Sequence, residues 1–201
     1  MTIALPAAPA QAPRRQILVA TAMVSAAAFM LIIGMIALWL KFRAEAPTRD
    51  SADGLKIIKD WMPARVKVPE VAANIMLITF PVGALMAQWA AYSAKRNDAP
   101  HRSLALAISF LIGLAVVNAQ VAVYAQMDIG LADGQFQTMF YAITGTMLLL
   151  VVGGMAFSLV AFFRSVGGRD NDIDVVNAHA FYWYFLTAAF AVVWFVVYVQ
   201  K

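Results

Sequence analysis

TMFYAITGTMLLLVVGGMAFSLVAFF, residues 138–163, carries no charged side chain from end to end. A helix needs roughly 20 mainly apolar residues to cross the hydrocarbon core of a bilayer, and this run exceeds that. Backbone N–H and C=O groups inside lipid must find partners within the segment, so the run is read as a helix, and no period-two alternation argues for a barrel strand. Four further runs meet the same criterion: Ile17–Leu40, Val71–Ala94, Leu104–Gln126 and Ala178–Val199. All 11 Asp and Glu fall in the connections or at the edges of these runs. The chain therefore reads as an all-α integral membrane protein, a five-transmembrane-helix bundle.

Composition agrees. Of 201 residues, 63% are hydrophobic and 13% charged, against about 45–50% and about 25% in soluble domains. One membrane domain is expected over residues 17–201, behind a flexible Ala/Pro-rich arm at 1–16. The run after that arm is too long for the apolar core of a cleaved secretory signal. The net charge of +4 comes from Lys and Arg scattered between apolar runs. No basic patch interleaved with aromatics appears, so nucleic acid is not an expected partner. Cysteine is absent, which excludes disulfides and thiolate metal sites.

Orientation follows from basic residues in short connections. With the N-terminus inside, Arg14, Arg15, Lys95, Arg96, Arg102, Arg164 and Arg169 lie on the inner face. The first connection carries a similar basic load but also Glu45, Asp50, Asp53, Asp60 and Glu70. The reading taken is N-terminus cytoplasmic and C-terminus periplasmic, in a bacterial cytoplasmic (inner) membrane. Within the first connection, GLKIIKDWMP (54–63) is either a short interfacial helix or an ordered connector. The acids Asp170, Asp172 and Asp174 lack the glycine and terminal glutamate of an EF-hand and read as a solvated loop.

Chemistry-bearing residues are few. The two histidines, His101 and His179, are far apart in sequence and make a poor ligand pair. His179 is expected to cap or orient the start of the last helix at the interface. No Asp, Glu, Lys or Arg lies deep in a span, which disfavours a proton relay or ion path. Asn74, Gln88, Asn118, Gln120 and Thr144 are read as interhelical hydrogen-bonding groups. Gly113, Gly145, Gly153 and Gly154 are expected to let helices approach closely. Pro81 is expected to kink the second helix without unwinding it. The aromatics Phe181, Tyr182 and Trp183 suit either an interfacial belt or a partner-binding face.

HAFYWYFLTAAFAVVWFVVY (179–198) resembles the terminal helix of subunit III of haem–copper cytochrome oxidases, whose motif reads Y-W-H-F-V-D followed by a tryptophan and a tyrosine. FLIGLAVVNAQVAVY (110–124) is similar to that family's F-L-x-G…Q…E-Y helix, keeping Phe110, Gly113, Gln120 and Tyr124. MFYAITGTMLLLVVGG (139–154) resembles its F-Y…T-G-x-H-G-x-H-V-x-G-G helix. Trp61, Pro63, Pro69 and Asn74 resemble the W-P-P…P…N-T approach, and WLKFRAE supplies Trp39 and Arg43 at the end of the first span. Five spans match the shorter bacterial form of the family.

The departures are consistent in kind. Aligned on Trp39, the family's buried glutamate falls on Ala28, and the glutamate of the third helix on Val123. The two histidines of the fourth helix are Met147 and Leu150, and the histidine and aspartate of the last motif are Tyr184 and Thr187. Proton-related roles of those groups are therefore not carried over. The resemblance implies a non-catalytic accessory subunit of a bacterial haem–copper terminal oxidase, in aerobic respiratory electron transport. It implies packing on catalytic subunit I, with subunit II in the same complex, and phospholipid bound between helices. No cofactor is expected in this chain, haem and copper being expected in the partner subunits. Arg96, Arg102 and Arg164 are candidates for lipid headgroup contact. Gly113, Gln120, Gly145, Gly153, Gly154, His179, Tyr182 and Trp183 are candidates for helix or subunit packing. Two other readings stay open: a subunit-III-like partner of a nitric oxide reductase, and a small transporter or channel.

Overall fold

The computed structural model describes residues 15–50, 57–63, 66–131, 133–168 and 173–200. Most of the arm at 1–16, with Arg14, lies outside the described residues, as do Leu55, Arg169, Asp170 and Asp172.

Five long helices form the structure: α1 (Gln16–Glu45), α2 (Glu70–Lys95), α3 (Ala99–Met127), α4 (Gln135–Val166) and α5 (Ile173–Val193). All five are long and apolar enough to cross a membrane. Each runs beyond the apolar stretch that announces it, because intrahelical hydrogen bonding continues after the side chains become polar. α5 continues as a π-helical segment, Trp194–Val199. α2 passes through Pro81 without a break.

Neighbours follow the connections. The α2–α3 turn is tight: Asn97 takes a left-handed conformation (φ 54°), which Asn tolerates better than most residues. The Asp98 N–H then donates to the Ser93 carbonyl at 3.0 Å. The two helices so joined pack side by side, and α3 packs in turn on α4. α5 touches α1, α2 and α4 and is the central element. Half of its spanning stretch is buried, against 11% of that of α1. α1 contributes one narrow buried stripe, Ser25, Ile32, Ile36 and Trp39. The spacing of three, four and seven residues is that of a single helix face.

The first connection contains a short antiparallel pair, β1 (Thr48–Asp50) with β2 (Ile57–Lys59), in register Arg49↔Ile58. Residues 57–59 are therefore strand, which corrects the alternative of an interfacial helix there. The strand carries Lys59 back to the end of α1, where its Nζ donates to the carbonyls of Ala44 (2.8 Å) and Ala46 (3.2 Å). A lysine here satisfies helix-terminal acceptors and opposes the negative end of the dipole. Arg49 ties the pair together through Asp60 at 3.2 Å. Beyond it Trp61 packs edge-on against Trp39 (centroids 5.1 Å, 87°) and against Phe136 of α4 (5.8 Å, 80°). The connector thus pins one end of α1 to the start of α4.

Candidate functional site

A four-helix junction centres on Trp183 of α5, which is fully buried. Its ring lies against Gly83 of α2: a Cβ at that glycine would fall 2.5 Å from Cζ3. The same ring reaches Gly113 of α3, where a Cβ would stand 3.6 Å from Cη2. Its indole N–H is directed at Nε2 of His179 (3.0 Å) and Oγ of Ser158 on α4 (3.3 Å). Ser158 Oγ lies 2.7 Å from His179 Nε2 and 2.9 Å from the Gly154 carbonyl, and its single hydrogen serves one of the two. One side chain therefore links four helices, three of them through glycine notches or small polar groups. Small residues and hydrogen bonds are the means by which helices associate where no hydrophobic force separates them from lipid.

Next to Trp183 on α5, Tyr182 lies over Gly154 and donates its hydroxyl hydrogen to the Leu150 carbonyl at 2.9 Å. Both Tyr182 and Trp183 are buried, so neither forms an interfacial belt or an outward partner face. Phe181 and Tyr184 are the exposed members of that aromatic run. His179 is likewise not an interfacial cap. α5 begins at Ile173, which places His179 in the second turn on the α4-facing side, fully buried.

The other packing candidates divide. Gly113 faces Met155 and Gly154 faces Leu186 and Tyr182, both in close contact, whereas Gly153 meets only the Tyr182 hydroxyl, at 3.3 Å. A Cβ at Gly145 would meet nothing within 4 Å among the described residues, so Gly145 packs against none of them. Gly83, absent from the sequence-derived set, makes one of the tightest helix contacts. Its signal in the sequence is only a lone glycine two residues after Pro81.

A second polar group occupies the opposite half of the bundle. Tyr124 and Thr144 join α3 to α4 at 2.8 Å, and Thr144 donates to the Phe140 carbonyl at 2.6 Å. The Tyr198 hydroxyl, in the π segment, donates to Gln120 Oε1 at 3.1 Å. Asn74 accepts from Trp194 in the same half (3.0 Å), whereas Gln88 accepts from Tyr184 beside Trp183 (3.2 Å). Of the neutral polar residues singled out, only Asn118 is an exposed side chain with no hydrogen bond of this kind described.

The arginines fall into different environments. Arg102 is turned inward, 2% exposed, with Nε donating to Ser165 Oγ at 2.7 Å. Its place is the α3–α4 interface rather than the outer rim. Arg96 is exposed, over the ring of Tyr92 at 5.4 Å and donating to its hydroxyl at 2.8 Å. Arg164 lies in the last turn of α4. Among the described residues no group of three or more His, Asp or Glu could hold a metal ion.

At the head of α3, Asp98 accepts from the His101 N–H (3.3 Å) and pairs with its ring Nδ1 (2.7 Å). These hydrogen bonds hold the Asp98 carboxyl below the usual carboxylate range. A depressed carboxylate stabilises the fold above its unfolded value of about 3.9 and loses that contribution as pH falls through its folded value. The Asp98→Asn variant is therefore expected to melt lower than the parent at pH 7, with the difference closing as the pH falls below about 4. Melting curves of both proteins across pH 3–7 (a chosen range) check this; a gap that widens towards acid overturns it.

A family described as cytochrome c oxidase subunit III matches residues 53–201. The chain belongs to that family. Among similar proteins are the cytochrome c oxidase subunit 3 of Bos taurus and that of Bos mutus grunniens, each 28% identical over 148 residues. That of Tragelaphus imberbis is 27% identical over the same length. The aligned stretch is 70% of this chain and 54% of each relative, so the chain spans about half the length of the curated relatives it matches. The subunit III match begins in the first connection and takes in α2 to α5, the four helices joined at Trp183 and at the Tyr124–Thr144 pair. α1 precedes it.

Proposed function

We propose that this chain is the non-catalytic subunit III of a bacterial haem–copper terminal oxidase. It packs on catalytic subunit I, in a complex with subunit II, and holds phospholipid. Electron transfer and oxygen reduction take place at haem and copper in the partner subunits. The observation that carries this reading is the subunit III family match over residues 53–201, which coincides with a bundle tied together by packing and neutral hydrogen bonds. The spans that match have kept those packing contacts while the family's titratable positions are occupied by Val123, Met147, Leu150, Tyr184 and Thr187. A scaffold needs the former and not the latter, because a charge buried in the bilayer costs about 3 kcal/mol or more.

In this reading the N-terminus is cytoplasmic and the C-terminus periplasmic, in the bacterial inner membrane. That orientation puts Arg96 and Arg164 at the cytoplasmic surface, where anionic headgroups attract them by about 1 kcal/mol per charge. A tagged chain purified in mild detergent from its native membrane is expected to bring larger chains and haem absorbance with it. The isolated complex should reduce oxygen. Recovery of the chain alone, without haem, overturns the reading, and a complex that reduces nitric oxide instead of oxygen replaces it with the reductase partner.

A further inference from the structure

We propose that a single water molecule is bound inside the bundle between Gln120 of α3 and Thr144 of α4. A cavity of about 10 Å³ lies there, lined by those two polar residues and otherwise by apolar side chains, among them Met147, Val151 and Phe190. One water requires about 10–15 Å³ and two to four polar partners, and the space is of the size of one molecule. An entirely apolar cavity of this size would stay dry; two hydrogen-bonding groups on its wall change that.

The hydrogen-bond count in the wall points to the same occupant. Gln120 is 4% exposed. Its Oε1 accepts from Tyr198, while its Nε2 is buried with no partner among the described residues. Turning the amide over does not help. Nε2 would then donate to the Tyr198 oxygen, leaving the Tyr198 hydroxyl hydrogen and Oε1 in need of partners instead. A buried unsatisfied amide group is costly, and in native structures such groups are paired with protein or with ordered water. Thr144 offers the complement. A hydroxyl has one hydrogen and two lone pairs. The hydrogen goes to the Phe140 carbonyl and one lone pair accepts from Tyr124, which leaves one lone pair free. A water in the cavity accepts from Gln120 Nε2 and donates to Thr144 Oγ1, and both residues are then complete. The bridge ties α3 to α4 and, through Gln120 and Tyr198, to the π segment after α5. It does so whatever complex the chain joins.

The test uses the full chain as purified, alone or with its partners. A density map sharp enough to show ordered waters is expected to contain one isolated peak within about 3.2 Å of both Gln120 and Thr144. Thermal shifts supply a second readout. Gln120→Met and Thr144→Val remove the two ends of the bridge, so the double variant is expected to lose hardly more than the more damaging single one. Gln120→Met combined with Thr146→Val, whose hydroxyl is turned to Met35 of α1 and lies outside the cavity wall, should be additive. An empty cavity in the map, or additive losses for Gln120→Met and Thr144→Val, overturns the proposal.

Discussion

Trp183→Ala is expected to cost the bundle about 3–5 kcal/mol, the range for truncating a fully buried large aromatic. Lipid tails are as apolar as the protein interior, so little of that loss comes from transfer out of water. It comes from the cavity left between Gly83, Gly113 and α4, and from the Ser158–His179 pair losing its indole donor. Trp183→Phe separates the two contributions. It keeps most of the ring and removes the N–H, so its loss should be about 0.5–1.5 kcal/mol, the net worth of one hydrogen bond. Melting of the purified protein in detergent reads both. Equal losses from the two variants would mean that the hydrogen bonds, not the ring, hold the junction.

The second large effect is expected at Gly83. A Cβ there would lie 2.5 Å from Cζ3 and 2.8 Å from Cε3 of Trp183, and 3.1 Å from Ile112. The indole cannot swing aside, being closed in by Gly113 on one side and held at its N–H by α4. Gly83→Val should therefore cost at least the upper end of the roughly 1–3 kcal/mol typical of overpacking, seen as loss of folded protein from the membrane. Gly145→Ala is the informative contrast. With nothing within 4 Å of the added methyl, the chain itself should gain up to about 1 kcal/mol of helix propensity. Retained melting temperature with reduced recovery of partner subunits would place Gly145 at a subunit contact. Unchanged recovery would leave it without a packing role.

The contrast between these two glycines shows where sequence reading reaches its limit. Spans were legible because burial in lipid demands long uncharged runs, and the runs around Ile17–Leu40 and Thr138–Phe163 admit no other structure. What a helix touches is set by its rotation, and α2 to α5 are apolar on every side, so no polar face announces the packed one. Gly145 and Gly83 look alike in a string of letters; only one opposes a tryptophan. The same ambiguity hid the burial of His179. Its depth depends on α5 starting at Ile173, among residues too polar to be counted as span. Arg102 follows suit: from sequence it is a surface charge, but it lies on the side of α3 that meets Ser165. The strand pairing of 48–50 with 57–59 was hidden because its residues do not alternate clearly and its purpose, bringing Lys59 to the end of α1, is tertiary. The π segment had no signal at all. The polar bonds were half legible: Gln120 and Thr144 could be named, but not the separate partners, Tyr198 and Tyr124, that each would find.

The contact pattern of α1 also sets an order in time. Of the five described spans α1 is made first, yet its principal neighbour is α5, the latest of the five, with α4 next. Its narrow stripe of Ser25, Ile32, Ile36 and Trp39 has nothing to settle against while α2 and α3 are being inserted. Those two can pair as soon as both are in the bilayer, and α4 then joins them. α1 therefore meets its neighbours when α4 and α5 are made, and the earliest of these five helices is among the last to be seated.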